Sequence, residues 1–292
     1  MNTILLGLLL LTAPATNERT PHWHRPDAGG PAATAATTTK AQRIVSLAPV
    51  VTETLFVLGA GERVVGVTRF CDRPPEASKR PVVGGYTDAS LEKILGLKPD
   101  VVIAMPSFQQ RALLDRLREQ GVAVFVVFTD ALDEENAMML ALGDLVGASE
   151  KARALVQRQQ QVLADTAKNA RAAKARAVVV VGHDPLVVAG PATFADTALR
   201  ATGATSALLP DDPPWPQWSL ESLLARKVSV VVAAEGPDAA VRLRAAFQPL
   251  GARAPQVVAA ETAILMRPGP SFADDVLTLE RLLTGVDQKP SP

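Results

Sequence analysis

Residues 90–104 read SLEKILGLKPDVVIA and residues 219–233 read SLESLLARKVSVVVA. Eight of these fifteen positions are identical without a gap, at the constant offset of 129 that separates Ser90 from Ser219. A serine that opens a helical segment, followed by a continuous apolar strand, thus occurs twice. A repeat at that spacing implies two related α/β units. The rest of the chain agrees. Short β-rich runs at Ile44–Ala48, Val64–Thr68, Asp100–Ala104 and Val122–Phe128 alternate with helical segments over 52–58, 90–97 and 108–120. Apolar strands separated by helices indicate a parallel sheet covered on both faces. After Gly147 the alternation stops, and Ser149 with Glu150 starts a long helical stretch to about Lys174. Strands resume at Val178–Val181, Leu186–Ala189, Val228–Ala233 and Gln256–Ala260, with helices over 194–202, 219–226, 237–247 and 272–284. The fold class expected is α/β, two parallel-sheet lobes joined by one long α-helix, with a cleft between the lobes.

The segment before Arg43 is of another kind. Residues 4–11 are a short apolar run followed by Ala13-Pro14-Ala15, the pattern of a secretory signal peptide with cleavage near Thr16. Crossing a bilayer takes about 20 apolar residues, so the run does not read as an anchor. Residues 16–42 are mostly Thr, Ala, Pro and Gly, a linker composition expected to be disordered. His22-Trp23-His24 lies within it and reads as a solvated tail. The organisation expected is a signal peptide over 1–15, a linker over 16–42, an N-terminal lobe over 43–147, a bridging helix over 148–175, a C-terminal lobe over 176–286 and a tail over 287–292.

Charge and cysteine content narrow the function. The 30 Lys and Arg balance the 30 Asp and Glu, which argues against nucleic acid as the main partner, because such binding needs a basic excess. Cys71 is the single cysteine, so neither an intramolecular disulfide nor a cysteine-cluster metal site can form. The sequence has no Gly-x-Ser-x-Gly elbow, no phosphate-binding Gly-x-x-x-x-Gly-Lys loop and no Gly-x-Gly-x-x-Gly after a strand. His183 is the single histidine of the folded region. It reads as a cleft wall, as an axial ligand to a metal macrocycle, or as a loop histidine. A dyad with Cys71 would need the two brought together, and nothing in the sequence does so. No catalytic residue and no bound metal are expected, and the chain reads as a binding protein rather than an enzyme.

The repeat also pairs particular side chains. Tyr86 and Trp215 each stand four residues before the helix-opening serine, and Glu92 pairs with Glu221. Loops beyond the carboxyl ends of parallel strands are where open α/β sheets bind ligands, so the two aromatics are candidates for opposite walls of a cleft. The other reading makes them helix-entry staples packed on the core. Each acid sits in a helical first turn, where the macrodipole alone accounts for it. That argument does not explain why both lobes keep the same acid at the same step.

In order along the chain stand Arg43-Ile44-Val45-Ser46-Leu47-Ala48-Pro49 with Thr52-Glu53 and Leu58-Gly59, Val65-Gly66-Val67, Cys71-Asp72-Arg73-Pro74-Pro75, Val83-Gly84-Gly85, Ser90-Leu91-Glu92 and Leu97-Lys98-Pro99-Asp100. This series resembles the helical-backbone (class III) periplasmic substrate-binding proteins of ABC importers for cobalamin, haem and iron–siderophores, from about residue 43 to 286. Trp215-Pro216-Gln217 followed by Ser219-x-Glu221 and Leu224-Ala225-Arg226 is most similar to the cobalamin-binding branch. The resemblance implies a periplasmic carrier, without a cofactor of its own, whose transported ligand lies between the lobes. It implies that Phe70, Tyr86, Met105 and Trp215 occupy the pocket-aromatic positions, with His183 a further candidate, and that Glu92 and Glu221 dock onto the permease subunits. Tyr86 and Met105 stand where the cobalamin binders carry tryptophan. Cobalamin is the ligand implied. Haem or an iron–siderophore is the alternative, since Tyr86, the only tyrosine, and His183 carry groups able to bind haem iron; an exported α/β enzyme is the reading from another class.

Overall fold

The strands form where the sequence runs apolar on consecutive positions, and in each sheet successive residues feed opposite faces. The computed structural model describes residues 22–24, 41–105, 107, 109–129, 131–168, 175–191, 193–260 and 269–286. In chain order these give β1 (His22–His24), β2 (Ile44–Ser46), α1 (Pro49–Val57), β3 (Val64–Thr68), β4 (Val82–Gly84), α2 (Leu91–Gly96), β5 (Val101–Ala104), α3 (Arg111–Glu119), β6 (Ala123–Val126), α4 (Leu132–Val146) and α5 (Ser149–Lys168). There follow β7 (Arg176–His183), β8 (Leu186–Val188), α6 (Phe194–Ala201), β9 (Thr205–Ser206), β10 (Gln217–Trp218), α7 (Leu220–Ala225), β11 (Val230–Ala233), α8 (Gly236–Phe247), β12 (Gln256–Ala259) and α9 (Phe272–Val286).

The N-terminal sheet has the order β1-β6-β5-β2-β3-β4, parallel apart from β1, and the second has the order β10-β8-β7-β11-β12 with β9 beside β7. In the second sheet β8 runs antiparallel to both its neighbours, β7 and β10, where the sequence reading expected parallel strands alone. Each sheet is buried on both faces. Ile44, Val101 and Ile103 join Leu55, Met138 and Leu142 on one side of the first sheet, while Val45 and Val102 join Ile94 and Leu117 on the other. In the second, Val179 packs with Leu199, Phe272 and Leu279, and Val178 and Val180 pack with Leu243 and Phe247.

The chain passes between lobes through α5. Ala152 and Val156 lie in the N-terminal core, and Leu163, two turns on, packs against the C-terminal core. Its side chain Arg158 forms a two-bond pair with Asp274 of α9, the shorter bond 2.6 Å. The helix ends at Lys168; residues 169–174 of the expected helix lie outside the described residues. The sequence reading placed no element over 132–146, and α4 occupies it, ending at Gly147 with a left-handed φ of 69°. Two further differences concern the amino end. Ala41, expected in the linker, is buried, and the Gln42 and Arg43 amides both donate to Asp100 Oδ2 at 2.8 Å. The backbone of His22–His24, expected in a solvated tail, pairs antiparallel with β6. The remainder of that linker and residues 1–15 lie outside the described residues, as does the tail over 287–292.

The internal repeat recurs as repeated hydrogen bonding. Ser90 caps α2, accepting the Lys93 amide at 3.3 Å, and Ser219 caps α7, accepting the Ser222 amide at 3.3 Å. Arg43 donates from Nη2 to the Leu97 carbonyl at 2.6 Å, and Arg176 donates from Nε to the Arg226 carbonyl at 2.5 Å. Asp100 Oδ2 accepts the Arg43 amide, and Ser229 Oγ accepts the Arg176 amide. Leu97 and Arg226, like Asp100 and Ser229, are related by the repeat's offset. So are Lys98 and Lys227, the two described non-glycine residues with positive φ, at 47° and 53°.

Candidate functional site

Parallel strands bring all their carboxyl ends to one edge of a sheet, and the loops there are the natural place for a ligand. In the N-terminal lobe Phe70 stands two residues beyond β3, Tyr86 two beyond β4 and Met105 one beyond β5. Register thus puts the three N-terminal candidates on a single edge. Phe70 is 48% exposed and Tyr86 40% exposed. The Tyr86 carbonyl accepts a bond from Gln110 Nε2 at 2.7 Å, which ties its loop to the start of α3. Met105 is half-buried and packs on the N-terminal core, with Thr129 Oγ1 3.7 Å from its Sδ.

In the C-terminal lobe His183 is the last residue of β7, at the carboxyl end of that strand, and is exposed. Trp215 lies in the connection between β9 and β10 and is 49% exposed. Its neighbours fix it to the sheet. The Pro214 carbonyl accepts the Gly190 amide at 2.7 Å and the Pro216 carbonyl accepts the Val188 amide at 3.0 Å. A Cβ at Gly190 would run into the Pro213 carbonyl, so only glycine lets this proline-rich segment lie so close to β8. Trp215 and Tyr86 both present apolar surface to solvent.

The structure gathers the three N-terminal candidates on one sheet edge, while in the second lobe His183 stands opposite Leu186 and Trp215 adjoins the segment bonded to Gly190, at the other end of β8. It also supplies residues the sequence reading missed. Arg69 is bonded twice to Asp88, at 3.1 and 2.5 Å, and its guanidinium lies 5.8 Å from the Phe70 ring centroid. Arg226 is bonded twice to Asp212, at 2.6 and 2.8 Å, and lies 5.0 Å from the Trp218 ring centroid. In each pair the hydrogen bond from the guanidinium holds the carboxyl below its ordinary pKa. Leu209, 47% exposed, follows β9 on the same connection as Trp215. No motif flags these partners, because their sequence separations carry no periodic signal.

Glu92 and Glu221 both occupy the first turn of a capped helix and both are exposed. Among the described residues neither takes part in an ion pair. The Ser219 hydroxyl lowers the pKa of Glu221. Cys71 is buried in the N-terminal lobe, within 3.1 Å of Thr52 Oγ1, while His183 belongs to the other lobe. Among the described residues, no hydrogen bond thus joins Cys71 to His183. Among the described residues no group of three or more His, Cys, Asp or Glu side chains is placed to hold a metal ion. Nor, among them, is any helix long and apolar enough to cross a membrane.

Two doubly covered α/β lobes, linked by a helix that packs on both, with exposed aromatics beyond β3 and β4 of the first and on the connection into β10 of the second, define a two-lobed scaffold. The chain belongs to the periplasmic binding protein family, whose sequence model matches residues 44–248. A vitamin B12-binding protein of Pectobacterium carotovorum subsp. carotovorum (strain PC1) is 30% identical over 211 residues, covering 71% of this chain and 76% of that protein. Among solved structures, the periplasmic vitamin B12 binding protein of Vibrio cholerae superimposes with a TM-score of 0.68 at 26% identity, covering 85% of this chain and 99% of the other. A periplasmic heme binding protein of Pseudomonas aeruginosa gives a TM-score of 0.71 at 26% identity, covering 86% and 95%. The two-lobed fold expected from the sequence is thereby established.

Proposed function

We propose that this protein is exported to the periplasm, captures a corrinoid such as cobalamin between its lobes, and delivers it to the membrane subunits of an ABC importer. The observation that supports this reading is the exposure of Phe70 and Tyr86 beyond the carboxyl ends of β3 and β4 and of Trp215 on the connection into β10. Exposed aromatics held by rigid elements offer a broad apolar face to a flat macrocycle, and burying that face supplies the affinity. Met105 and His183 complete the walls. The 30% identity to a vitamin B12-binding protein supports the corrinoid over other chelates.

Large aromatics near the centre of a contact carry most of its energy, so Trp215→Ala should weaken cyanocobalamin binding by about thirtyfold, read by calorimetry. Haem is the second reading, favoured by the exposed hydroxyl-bearing Tyr86 and by the heme-binding structural relative. Tyr86→Phe separates the two. It should leave cyanocobalamin affinity nearly unchanged, whereas it would abolish or shift the visible spectrum of a tyrosinate-bound haem. Clear binding of haemin beside no heat with cyanocobalamin would replace the corrinoid by haem.

A further inference from the structure

Each candidate wall is built on a loop, yet each loop is closed by the same device. In the N-terminal lobe Asp88 ends the turn 85–88. Its Oδ1 accepts the Gly85 amide at 2.7 Å and Arg69 Nη1 at 3.1 Å, and its Oδ2 accepts Arg69 Nη2 at 2.5 Å. The Arg69 amide in turn donates to the Gly84 carbonyl at 2.9 Å. One guanidinium thereby joins the strand end that carries Phe70 to the turn that carries Tyr86. In the C-terminal lobe Asp212 ends the turn 209–212. Its Oδ2 accepts the Leu209 amide at 2.7 Å and Arg226 Nη1 at 2.6 Å, and its Oδ1 accepts Arg226 Nη2 at 2.8 Å. Arg226 Nη1 also reaches the Ala207 carbonyl at 3.3 Å. The connection that carries Leu209 and Trp215 is thus fixed at one end by Arg226 and at the other by the Gly190 and Val188 amides.

This device did not come with the internal repeat. The repeat's offset carries Arg69 and Asp88 onto Ala198 and Gln217, and carries Arg226 and Asp212 back onto Leu97 and Val83. Each lobe builds an Arg–Asp closure from positions that do not correspond. What the two loops share is an exposed aromatic.

We propose that the pairs Arg69–Asp88 and Arg226–Asp212 are positioning residues that set Phe70, Tyr86 and Trp215 in their ligand-binding arrangement before the ligand arrives, and that Leu209 is a further contact residue of the C-terminal wall. The proposal rests on the binding reading above. Its physical basis is that a wall ordered in advance spares the ligand the cost of ordering it. The two pairs differ in shielding. Arg226 and Asp212 are 24% and 13% exposed, against 50% and 57% for Arg69 and Asp88. Water screens the exposed pair far more, so the C-terminal pair dominates.

Asp212→Asn keeps the shape of the closure and removes its charge. It should weaken cyanocobalamin binding by about tenfold in the native background, the size of one lost charge-assisted bond. With Trp215→Ala already present, the same change should cost less than about twofold, because the residue acts through Trp215. Arg226→Lys should show the same dependence on background, and covers the case in which Asp212→Asn does not fold. Hydrogen exchange needs no ligand: the Gly190 and Val188 amides should exchange faster in Asp212→Asn than in the native protein. Leu209→Ala should weaken binding by about fivefold while leaving those exchange rates unchanged. Equal losses in the two backgrounds, or unchanged exchange, would overturn the positioning role, and unchanged affinity in Leu209→Ala would remove Leu209 from the wall. A native protein that binds neither cyanocobalamin nor haemin would refute the ligand reading instead, and the exchange rates would still decide the closure.

Discussion

Glu135 shows what burial does to one carboxyl. Its side chain is fully buried in α4, and among the described residues neither oxygen meets a donor in good hydrogen-bond geometry. Burial first, then the charges of Asp275 and Glu53 facing it from α9 and α1, push its pKa up to about 8; the nearby Gly269 amide offsets part of this. Asp275 is pushed up to about 7 by burial, with Glu53 and Asp274 adding to the rise and Arg73 opposing it. Below the ordinary carboxyl value of 4.5 Glu135 is protonated in both the folded and the unfolded chain. As the pH rises above that value the unfolded chain releases a proton that the folded chain keeps, so stability falls until the folded group ionises near 8. Asp275 adds a loss of the same sign. Glu135→Gln cannot ionise, so its melting temperature should gain on the native protein by several degrees between about pH 5 and about pH 8.5. Thermal scans that show a constant difference across that range would place the titration elsewhere. Residues of this kind were not legible in the sequence, because Glu135 reads there as one more acid in the polar run Asp133-Glu134-Glu135. Trp215 was legible, since a rare aromatic that pairs with another across the repeat's offset stands out from the amino-acid order by itself.

At the scale of elements, legibility followed length and pattern. The parallel strands and the capped helices α2 and α7 carry unbroken apolar runs and helix-opening serines, and both signals survive in the sequence alone. The strands β9 and β10 are two residues each, too short for any periodicity to register. The helix α4 escaped for a different reason. Its buried stripe includes Glu134, Glu135 and Gly143, so the apolar spacing that marks a helix is broken where the helix is most buried. Gly143 also explains how α4 and α5 approach each other, because a Cβ there would overlap that of Ala152. Helix propensity alone makes alanine better than glycine by about 1 kcal/mol. Overpacking two helices costs about 1–3 kcal/mol, and this greater cost should win. Gly143→Ala should therefore lower stability by about 1 kcal/mol, read by chemical denaturation. A stabilised variant would mean that the helix pair moves apart freely.

At the scale of the molecule, the two lobes repeat one construction down to the arginine that caps each short helix and the lysine that turns each chain beyond it. That construction places Glu92 and Glu221 at the same step of α2 and α7, both exposed and neither in an ion pair among the described residues. A helix dipole rewards such an acid by about 0.3–1 kcal/mol, which is enough to keep either one. It gives no reason for the pair to be kept together and, among the described residues, out of ion pairs. Two equivalent acids on two equivalent lobes suit a partner that presents two equivalent basic sites, as paired membrane subunits do. On that reading each acid meets an arginine, and a lysine in its place sets like charges against each other at a cost of several kcal/mol. Glu92→Lys and Glu221→Lys should each sharply reduce ligand-dependent transport by the importer reconstituted in vesicles. Cyanocobalamin affinity of the free protein should stay within about twofold, because neither acid belongs to the aromatic walls. The dipole account predicts a different pair of results: a small loss of thermal stability in both variants and transport at the native rate.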